Sequence, residues 1–207
     1  MEHYFTNNEN LKSEIRTLKY LYGNVSFSFS SDNGVFSKDK IDYGSHFLID
    51  TFLKNKSSTI KSVLDVGCGY GFIGIVLSKI LNINVDMIDV NKRALHLCEM
   101  NINLNRVNAK CFYSDCYEFV DKNYDVIITN PPIRAGKDIV LKILNGAFDH
   151  LNEDGTLWFV IRKDQGAKSI IKTLENDKLV EIVDKSKGFY VIKAKNNWQI
   201  VCLDLQL

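Results

Sequence analysis

Short apolar runs alternate with amphipathic helical patterns from residue 62 to residue 195. The apolar, β-branched runs predict strands at 62–66, 85–89, 109–113, 124–129, 156–161, 180–186 and 189–194. The 3.6-residue periodicity predicts helices at 73–81, 92–104, 139–150 and 165–177, and Asn91 is a suitable N-cap for the second of them. Because strands and helices alternate, the pattern predicts an α/β fold with a mostly parallel sheet covered on both faces.

The last two predicted strands are connected differently from the others. Only Lys187-Gly188 separates them, which is typical of a two-residue hairpin turn. We therefore expect a seven-stranded, mostly parallel, Rossmann-like sheet whose last strand is antiparallel and lies at the edge.

Residues before 62 and after 195 follow weaker patterns. Residues 25–30 alternate as a half-exposed strand, 31–34 (S-D-N-G) signal a turn, and 44–53 are helical in character. We predict an N-terminal extension, 1–61, packed on a catalytic domain, 62–195. The tail, 196–207, is too short to assign either as an edge segment or as a loose end.

Composition narrows the classes of protein and partner. A chain of 207 residues with 45% hydrophobic residues can bury one ordinary core. The chain has 26 basic and 25 acidic residues, so its net charge is close to zero and any RNA-binding surface must be a local patch. The five cysteines form no C-x-x-C pair, so we expect reduced thiols and no metal site. No signal peptide or membrane span is predicted, and we expect a cytoplasmic monomer.

A glycine-rich turn follows the first strand of the predicted sheet. Residues 65–71 read D-V-G-C-G-Y-G, and Gly69, Gly71 and Gly74 match the G-x-G-x-x-G pattern of dinucleotide-binding folds. Asp89 lies 20 residues after Gly69, where either type of nucleoside cofactor would place a ribose. This pattern alone does not distinguish NAD from S-adenosylmethionine.

Two residues of this turn favour S-adenosylmethionine. Asp65 would repel a pyrophosphate but attract the ammonium and sulfonium groups of S-adenosylmethionine. Gly67 extends the turn to G-x-G-x-G, which allows close approach of an amino-acid moiety. Asp115 follows the third strand and can accept from an adenine amine, although a helix N-cap is the alternative. The predicted cofactor pocket comprises Asp65, Gly67, Cys68, Gly69, Gly71, Asp89, Val90, Asp115, Cys116 and Asn130.

The only two prolines of the chain are adjacent, in Asn130-Pro131-Pro132-Ile133. They follow the strand at 124–129 and bar both helix and ladder pairing, so we expect a rigidly extended exit from the strand. The Asn130 amide and the Pro131 carbonyl would then present two acceptors, which suit a planar amine with two N–H donors. The alternative is a strand that ends in an ordinary tight turn.

These motifs together resemble a class I S-adenosylmethionine-dependent methyltransferase. The segment 34–45 (G-V-F-S-K-D-K-I-D-Y-G-S) is similar to the one that precedes the cofactor domain in ribosomal RNA small subunit methyltransferase C-like proteins, which methylate the exocyclic amine of a guanine. The resemblance implies S-adenosylmethionine as cofactor and ribosomal RNA or the small ribosomal subunit as partner. It implies a catalytic group of Asn130, Pro131, Pro132 and Ile133.

Ile133 departs from the aromatic residue that many amine methyltransferases carry after the second proline. Phe36, Phe189 or Tyr190 can stack on a base instead, although core packing explains any one of them equally simply. Basic residues fall at the carboxyl ends of strands or in adjoining loops, where they can hold phosphates: Arg134, Lys137, Arg162, Lys163, Lys185 and Lys187. The predicted substrate-binding residues are Phe36, Arg134, Lys137 and Phe189.

Three alternatives remain open from the sequence. The acceptor of the methyl group can be a protein glutamine amide or a DNA adenine amine, since both also present planar N–H₂ groups. The G-x-G-x-x-G match permits an NAD-dependent oxidoreductase, against which Asp65 and the double proline argue. A non-catalytic ribosome-binding module is the third, and the complete set of cofactor residues disfavours it.

Overall fold

The computed structural model describes residues 11–57 and 59–197. In chain order the elements are β1 (Arg16–Tyr22), β2 (Val25–Ser31), α1 (Tyr43–Asn55), β3 (Ser62–Val66), α2 (Phe72–Leu81), β4 (Asn84–Asp89), α3 (Lys92–Asn105), β5 (Ala109–Tyr113), β6 (Tyr124–Thr129), α4 (Lys137–Gly146), β7 (Leu151–Arg162), α5 (Ala167–Leu174), β8 (Lys178–Ser186) and β9 (Phe189–Asn196). Short 3₁₀ turns lie at Ile133–Ala135, Ala147–His150 and Lys163–Gln165.

The central sheet has seven strands in the order β5-β4-β3-β6-β7-β9-β8, and β9 alone among them is reversed. The predicted fold class is therefore confirmed, but the predicted position of the reversed strand is wrong. β9 lies inside the sheet, and β8 is the edge. A two-residue turn imposes antiparallel pairing without selecting which strand meets β7. Burial selects it, because Val191 and Ile192 of β9 are fully buried whereas Leu179 and Ile182 of β8 are exposed.

Helices cover both faces of the sheet. Helices α1, α2 and α3 pack on one face with alternate strand residues such as Val63 and Met87. Helices α4 and α5 pack on the other face with the intervening residues, such as Leu64 and Ile127. Among the described residues, no helix is both long and apolar enough to cross a membrane. The four cysteines of this part of the chain are free thiols; Cys202 lies outside it.

Several element boundaries differ from the sequence prediction. The predicted helix at 139–150 is an α-helix only to Gly146, and the one at 165–177 begins after Gly166, whose φ is +87°. Strand β7 starts five residues earlier than predicted. Strand β1 was not predicted, because only Leu18 of its seven residues is buried and the apolar alternation is weak.

The hairpin β1–β2 is attached to the domain by two asparagines of α3. Asn101 Oδ1 accepts from Ser30 N at 2.6 Å and its Nδ2 donates to Ser30 O at 2.9 Å. Asn105, one helical turn later, makes the same pair of bonds with Ser28, at 3.1 and 2.8 Å. The two amides reproduce the hydrogen bonds of a neighbouring strand along the free edge of β2. The N-terminal extension thereby becomes part of the cavity wall described next.

Candidate active site

A cavity of about 860 Å³ lies at the carboxyl ends of β3, β4, β5 and β6. The strand order reverses direction between β3 and β6, and this switch point is where open α/β sheets bind ligands. One side of the cavity is formed by the loops after β3, β4 and β5. Segment 34–45, the loop after β6 and the start of β9 form much of the remaining lining.

The glycine turn after β3 combines two open positions with one packed position. Gly67 and Gly69 have φ values of +70° and +57°, and a Cβ at either would meet no protein atom within 4 Å. Gly71 has φ +89°, and a Cβ there would lie 2.6 Å from the Cys98 sulfur. The first two glycines therefore leave space for a group against the backbone, and the third allows the turn to pack on α3.

Asp65 does not line this cavity. Its carboxylate is buried beneath the glycine turn, where Oδ2 accepts from Gly74 N at 2.9 Å and Oδ1 has no hydrogen-bond partner. Burial raises the pKa of this carboxyl to about 7. This placement differs from the expectation that the Asp65 carboxylate directly contacts the ammonium group of a cofactor. Side chains alternate along β3, so Asp65 shares the face of Val63 and lies under the first turn of α2.

Asp89 ends β4 on the cavity wall. Its Oδ2 accepts from Gly69 N at 2.8 Å and its Oδ1 accepts from Asn91 N at 2.8 Å. The carboxylate thus connects the glycine turn to the start of α3, which Asn91 caps as predicted. Burial raises the pKa of Asp89. Val90, also predicted as a cofactor residue, lines the same wall.

Asp115 and Cys116 line the far end of this wall, after β5. Asp115 is exposed and its Oδ1 lies 3.0 Å from Lys142 Nζ, which lowers the pKa of the carboxyl. A turn and not a helix follows it, so the helix N-cap alternative is wrong. Burial raises the pKa of the Cys116 thiol to about 11.

Asn130 follows β6 beside the start of the glycine turn, because Thr129 Oγ1 donates to Val66 O at 2.7 Å. The Asn130 amide is held on one side. Nδ2 donates to Asp42 Oδ2 at 3.0 Å and to Ser45 Oγ at 2.9 Å. Oδ1 is the acceptor that these bonds leave for a ligand. Asp42 and Ser45 both line the cavity, and the prediction of site residues missed them. The D-x-x-S spacing at the start of a helix predicts an N-cap, which Asp42 is, but not a bond to residue 130.

The double proline turns the chain instead of extending it. Pro132 has φ −75° and ψ 81°, and Ile133 N donates to Pro131 O at 2.9 Å, which is an inverse γ-turn. The expectation of an extended exit is therefore wrong, because proline fixes φ but leaves ψ free to close a turn. A carbonyl oxygen has two lone pairs, so Pro131 O retains one acceptor position. Asn130, Pro131, Pro132 and Ile133 all line the cavity.

The rim combines aromatic rings with guanidinium groups. Phe36, Arg134, Arg162 and Phe189 line the cavity, and the Arg162 guanidinium lies 5.5 Å from the centre of the Phe189 ring. The other basic residues that were predicted at this edge are not part of the lining. Lys137 Nζ donates to Ser169 Oγ at 2.9 Å, on the outer surface.

The loop and hairpin residues beside the rim have other contacts. Lys163 N donates to Gly188 O at 2.8 Å, which joins the end of β7 to the hairpin turn. Lys187 Nζ lies 4.4 Å from the centre of the Tyr43 ring. Lys185 Nζ lies 5.2 Å from that of Tyr190, which is not part of the lining.

Comparisons with known proteins agree with this geometry. The methyltransferase small domain family matches residues 26–193. The uncharacterized protein YbxB of Bacillus subtilis is 44% identical over 200 residues, which cover 94% of this chain and 98% of that protein. Ribosomal RNA small subunit methyltransferase C of Buchnera aphidicola (Cinara cedri) is 35% identical over 182 residues, covering 86% of this chain and 51% of that enzyme.

Among solved structures, the fold is similar to that of the Thermus thermophilus 16S rRNA N2 G1207 methyltransferase in complex with AdoMet and guanosine. The TM-score is 0.79 at 21% identity, over 90% of this chain and 52% of that one. The chain thus spans about half the length of the methyltransferase C relatives that it matches.

The fit of a cofactor rests on the cavity itself. The open positions at Gly67 and Gly69 suit the amino-acid part of a nucleoside sulfonium, which can lie against the turn. The carboxylate of Asp89 at the end of β4 suits its ribose. The match to a methyltransferase family replaces the NAD-dependent interpretation. The chain belongs to the methyltransferase small domain family, and its cofactor is S-adenosylmethionine.

Proposed function

We propose that this protein transfers a methyl group to the exocyclic amine of a guanine in small-subunit ribosomal RNA. The observation that carries the proposal is the pair of acceptors on the wall after β6. Asn130 Oδ1 and the second lone pair of Pro131 O are available at a site where the Asn130 NH₂ is already bound. Two acceptors on adjacent residues match the two N–H donors of one planar amine.

These acceptors address the chemical difficulty of the reaction. The lone pair of a guanine amine is delocalised into the ring, so the nitrogen is a poor nucleophile. Hydrogen bonds from its two N–H groups to Asn130 and Pro131 would orient the nitrogen and stabilise the positive charge that develops on it. S-adenosylmethionine supplies an activated methyl group on a sulfonium. As the N–C bond forms and the S–C bond breaks, the amine gains a positive charge, and one of its protons then leaves to water.

The rim residues suit an RNA base better than a protein side chain. Phe36 is exposed at the cavity mouth, and Phe189 lies beneath the Arg162 guanidinium. Flat rings and guanidinium planes are the surfaces on which an unstacked base is held. A paired guanine would have to leave its helix to reach the acceptors, so we expect the target to lie in a loop or to be extruded. Ile133 adds an apolar contact but no aromatic face.

The relatives named ribosomal RNA small subunit methyltransferase C support the same substrate class. They are longer than this chain, so its substrate is part of the proposal. A protein glutamine amide or a DNA adenine amine could donate hydrogen bonds to the same two oxygens. These two groups are the alternative methyl acceptors to be tested.

The test is radiolabelled methyl transfer to unmodified small ribosomal subunits, to free ribosomal RNA, to DNA and to ribosomal protein, followed by nucleoside analysis. We expect label in N2-methylguanosine. Asn130→Ala should lower kcat by about 10²- to 10³-fold, because one of the two acceptors of the amine is lost. S-adenosylmethionine should still bind to this variant, because the glycine turn and its bond to Asp89 are unchanged.

Two results would contradict the proposal. Label in protein or in N6-methyladenosine would assign the site to one of the alternative acceptors. Binding of S-adenosylmethionine without transfer to any of the four substrates would favour a non-catalytic module.

A further inference from the structure

One carboxylate oxygen connects segment 34–45 to the loop after β6. Asp42 Oδ2 accepts from Ser45 N at 2.7 Å, from Ser45 Oγ at 3.1 Å and from Asn130 Nδ2 at 3.0 Å. Ser45 Oγ accepts in turn from Asn130 Nδ2 at 2.9 Å. These contacts join residues that are 85 and 88 positions apart in the chain.

The chemistry of this contact permits only one orientation of the Asn130 amide. An ionised carboxylate accepts hydrogen bonds and donates none, so Asp42 must face the NH₂ end of the amide. Rotation of the amide by 180° would place Asn130 Oδ1 against the carboxylate and lose two hydrogen bonds. A charged acceptor also makes the retained bond stronger than a neutral one. The amide oxygen is thereby directed to the remaining side.

We propose that Asp42 is a positioning residue that fixes Asn130 with its acceptor toward the substrate. The inference rests on the proposed function, because the target amine is what uses this acceptor. It also gives the site a polarity. A group with two N–H donors is accepted, whereas a base edge that presents a carbonyl oxygen at this point is rejected, since Asn130 cannot turn its NH₂ toward it.

Gly44 extends the same arrangement to the aromatic rim. A Cβ at Gly44 would lie 3.0 Å from Asp42 Oδ2 and 2.9 Å from Phe189 Cε1. The absence of a side chain at this position lets the N-cap carboxylate and the Phe189 ring approach the same turn. Segment 34–45 therefore places both the orienting carboxylate and one candidate stacking surface.

Three variants separate positioning from helix capping, because Asp42 is also the N-cap of α1. Serine is a good N-cap, but its hydroxyl is one atom too short to reach Asn130 from position 42, so Asp42→Ser keeps the cap and removes the contact. Asp42→Asn keeps the cap and can keep a neutral acceptor. Ser45→Ala removes the neutral partner of Asn130 and keeps the charged one.

We expect graded losses in kcat with an unchanged dissociation constant for S-adenosylmethionine. Asp42→Ser should lose on the order of 10²-fold and Ser45→Ala about two- to tenfold, in proportion to a charged and a neutral hydrogen bond. Asp42→Asn should recover most of the activity lost in Asp42→Ser. Melting temperatures of the three variants should lie close to that of the wild type, because the helix cap is retained.

A second measurement does not depend on methyl transfer. In ¹H–¹⁵N spectra of the cofactor-bound protein, the Asn130 side-chain NH₂, assigned by its loss in Asn130→Asp, should be shifted downfield and exchange slowly. Asp42→Ser should abolish both properties. An unchanged Asn130 signal in Asp42→Ser, or a kcat equal to that of the wild type, would overturn the positioning role. A wild-type protein that shows the protected signal but methylates no guanine would instead overturn the proposed function and leave the contact intact.

Discussion

The two walls of the cavity are built in different ways. Most of the cofactor wall is local, because the glycine turn and Asp89 belong to one continuous strand–helix–strand unit, 62–89, and bonds from backbone N–H groups to Asp89 fix its shape. Asp115 and Cys116 complete this wall from the loop after β5. The acceptor wall is assembled from segments that are distant in the chain, namely 35–45, 130–135 and 162–189. Side-chain bonds such as that from Asn130 to Asp42 join them.

This difference predicts which property of the protein changes when a residue in each wall is substituted. Substitutions in the cofactor wall act on backbone conformation and packing, so they should appear in protein stability and in the affinity for S-adenosylmethionine. Substitutions in the acceptor wall should change turnover or RNA affinity more than the binding of S-adenosylmethionine, because they leave the backbone bonds of the glycine turn in place.

The largest effect on stability is expected within the cofactor wall. Gly71→Ala adds a methyl group 2.6 Å from the Cys98 sulfur at a residue whose φ is +89°. Overpacking and left-handed strain together should lower the free energy of unfolding by about 3 kcal/mol, a fall in melting temperature of roughly 6–12 °C. Thermal unfolding of the cofactor-free protein measures it.

Gly69→Ala is the matched control for this prediction. It shares the positive φ but meets no atom within 4 Å, so it should cost only about 1–2 kcal/mol. The added methyl group occupies open space in the cavity that the cofactor uses, so Gly69→Ala should also weaken binding of S-adenosylmethionine. Equal losses of stability in the two variants would show that packing on α3 does not shape the turn.

The same difference explains how far the sequence predicts the molecule. Strands β3 and β6 match the predicted bounds, since their mostly apolar runs signal strands that are buried on both faces. The edge strand β5 also matches, although its residues are only partly buried or exposed. The glycine turn is recognisable because its conformation requires glycine at particular positions. The position of β9 inside the sheet is not predictable from a two-residue turn, because it depends on which strand buries more apolar surface against β7.

The acceptor wall is predictable only in part. Asn130 and the two prolines are evident as a motif, but ψ at Pro132, and hence the γ-turn, is set by the loop and not by the proline ring. The Asp42 contact spans 88 positions and has no local signature beyond a helix cap. The placement of Asp65 beneath α2 follows from strand alternation, which is visible in the sequence once the strand is assigned.

A smaller effect on stability tests whether Asp65 belongs to the structure of the cofactor wall. Burial raises the pKa of Asp65 to about 7, above its ordinary value of 3.8. Its contribution to stability is therefore fully present below about pH 4 and is lost as the pH rises through 7, because the folded state then binds more protons than the unfolded one. Asp65→Asn removes this dependence and retains an acceptor for Gly74 N.

We expect the difference in unfolding free energy between Asp65→Asn and the wild type to move in favour of the variant by roughly 2 kcal/mol between pH 4 and pH 6. Urea unfolding of both cofactor-free proteins across this range measures the difference. A difference that is constant with pH would mean that the carboxyl of Asp65 does not titrate within the fold.

The smallest effect concerns the acceptor wall and its RNA partner. Arg134 is exposed on the cavity lining directly after the double proline, where it can reach a phosphate beside the target base. Arg134→Ala should weaken binding of ribosomal RNA about three- to tenfold and reduce the slope of log affinity against log salt by about 0.7, the value for one contact with single-stranded RNA. Binding of S-adenosylmethionine should not change.

Lys54→Ala is the matched control, because Lys54 lies in the last turn of α1, about 16 Å along the helix axis from Tyr43 at the cavity end. An equal loss of affinity in both variants would mean that RNA responds to the overall charge of the protein, and the acceptor wall would then have no specific part in holding it.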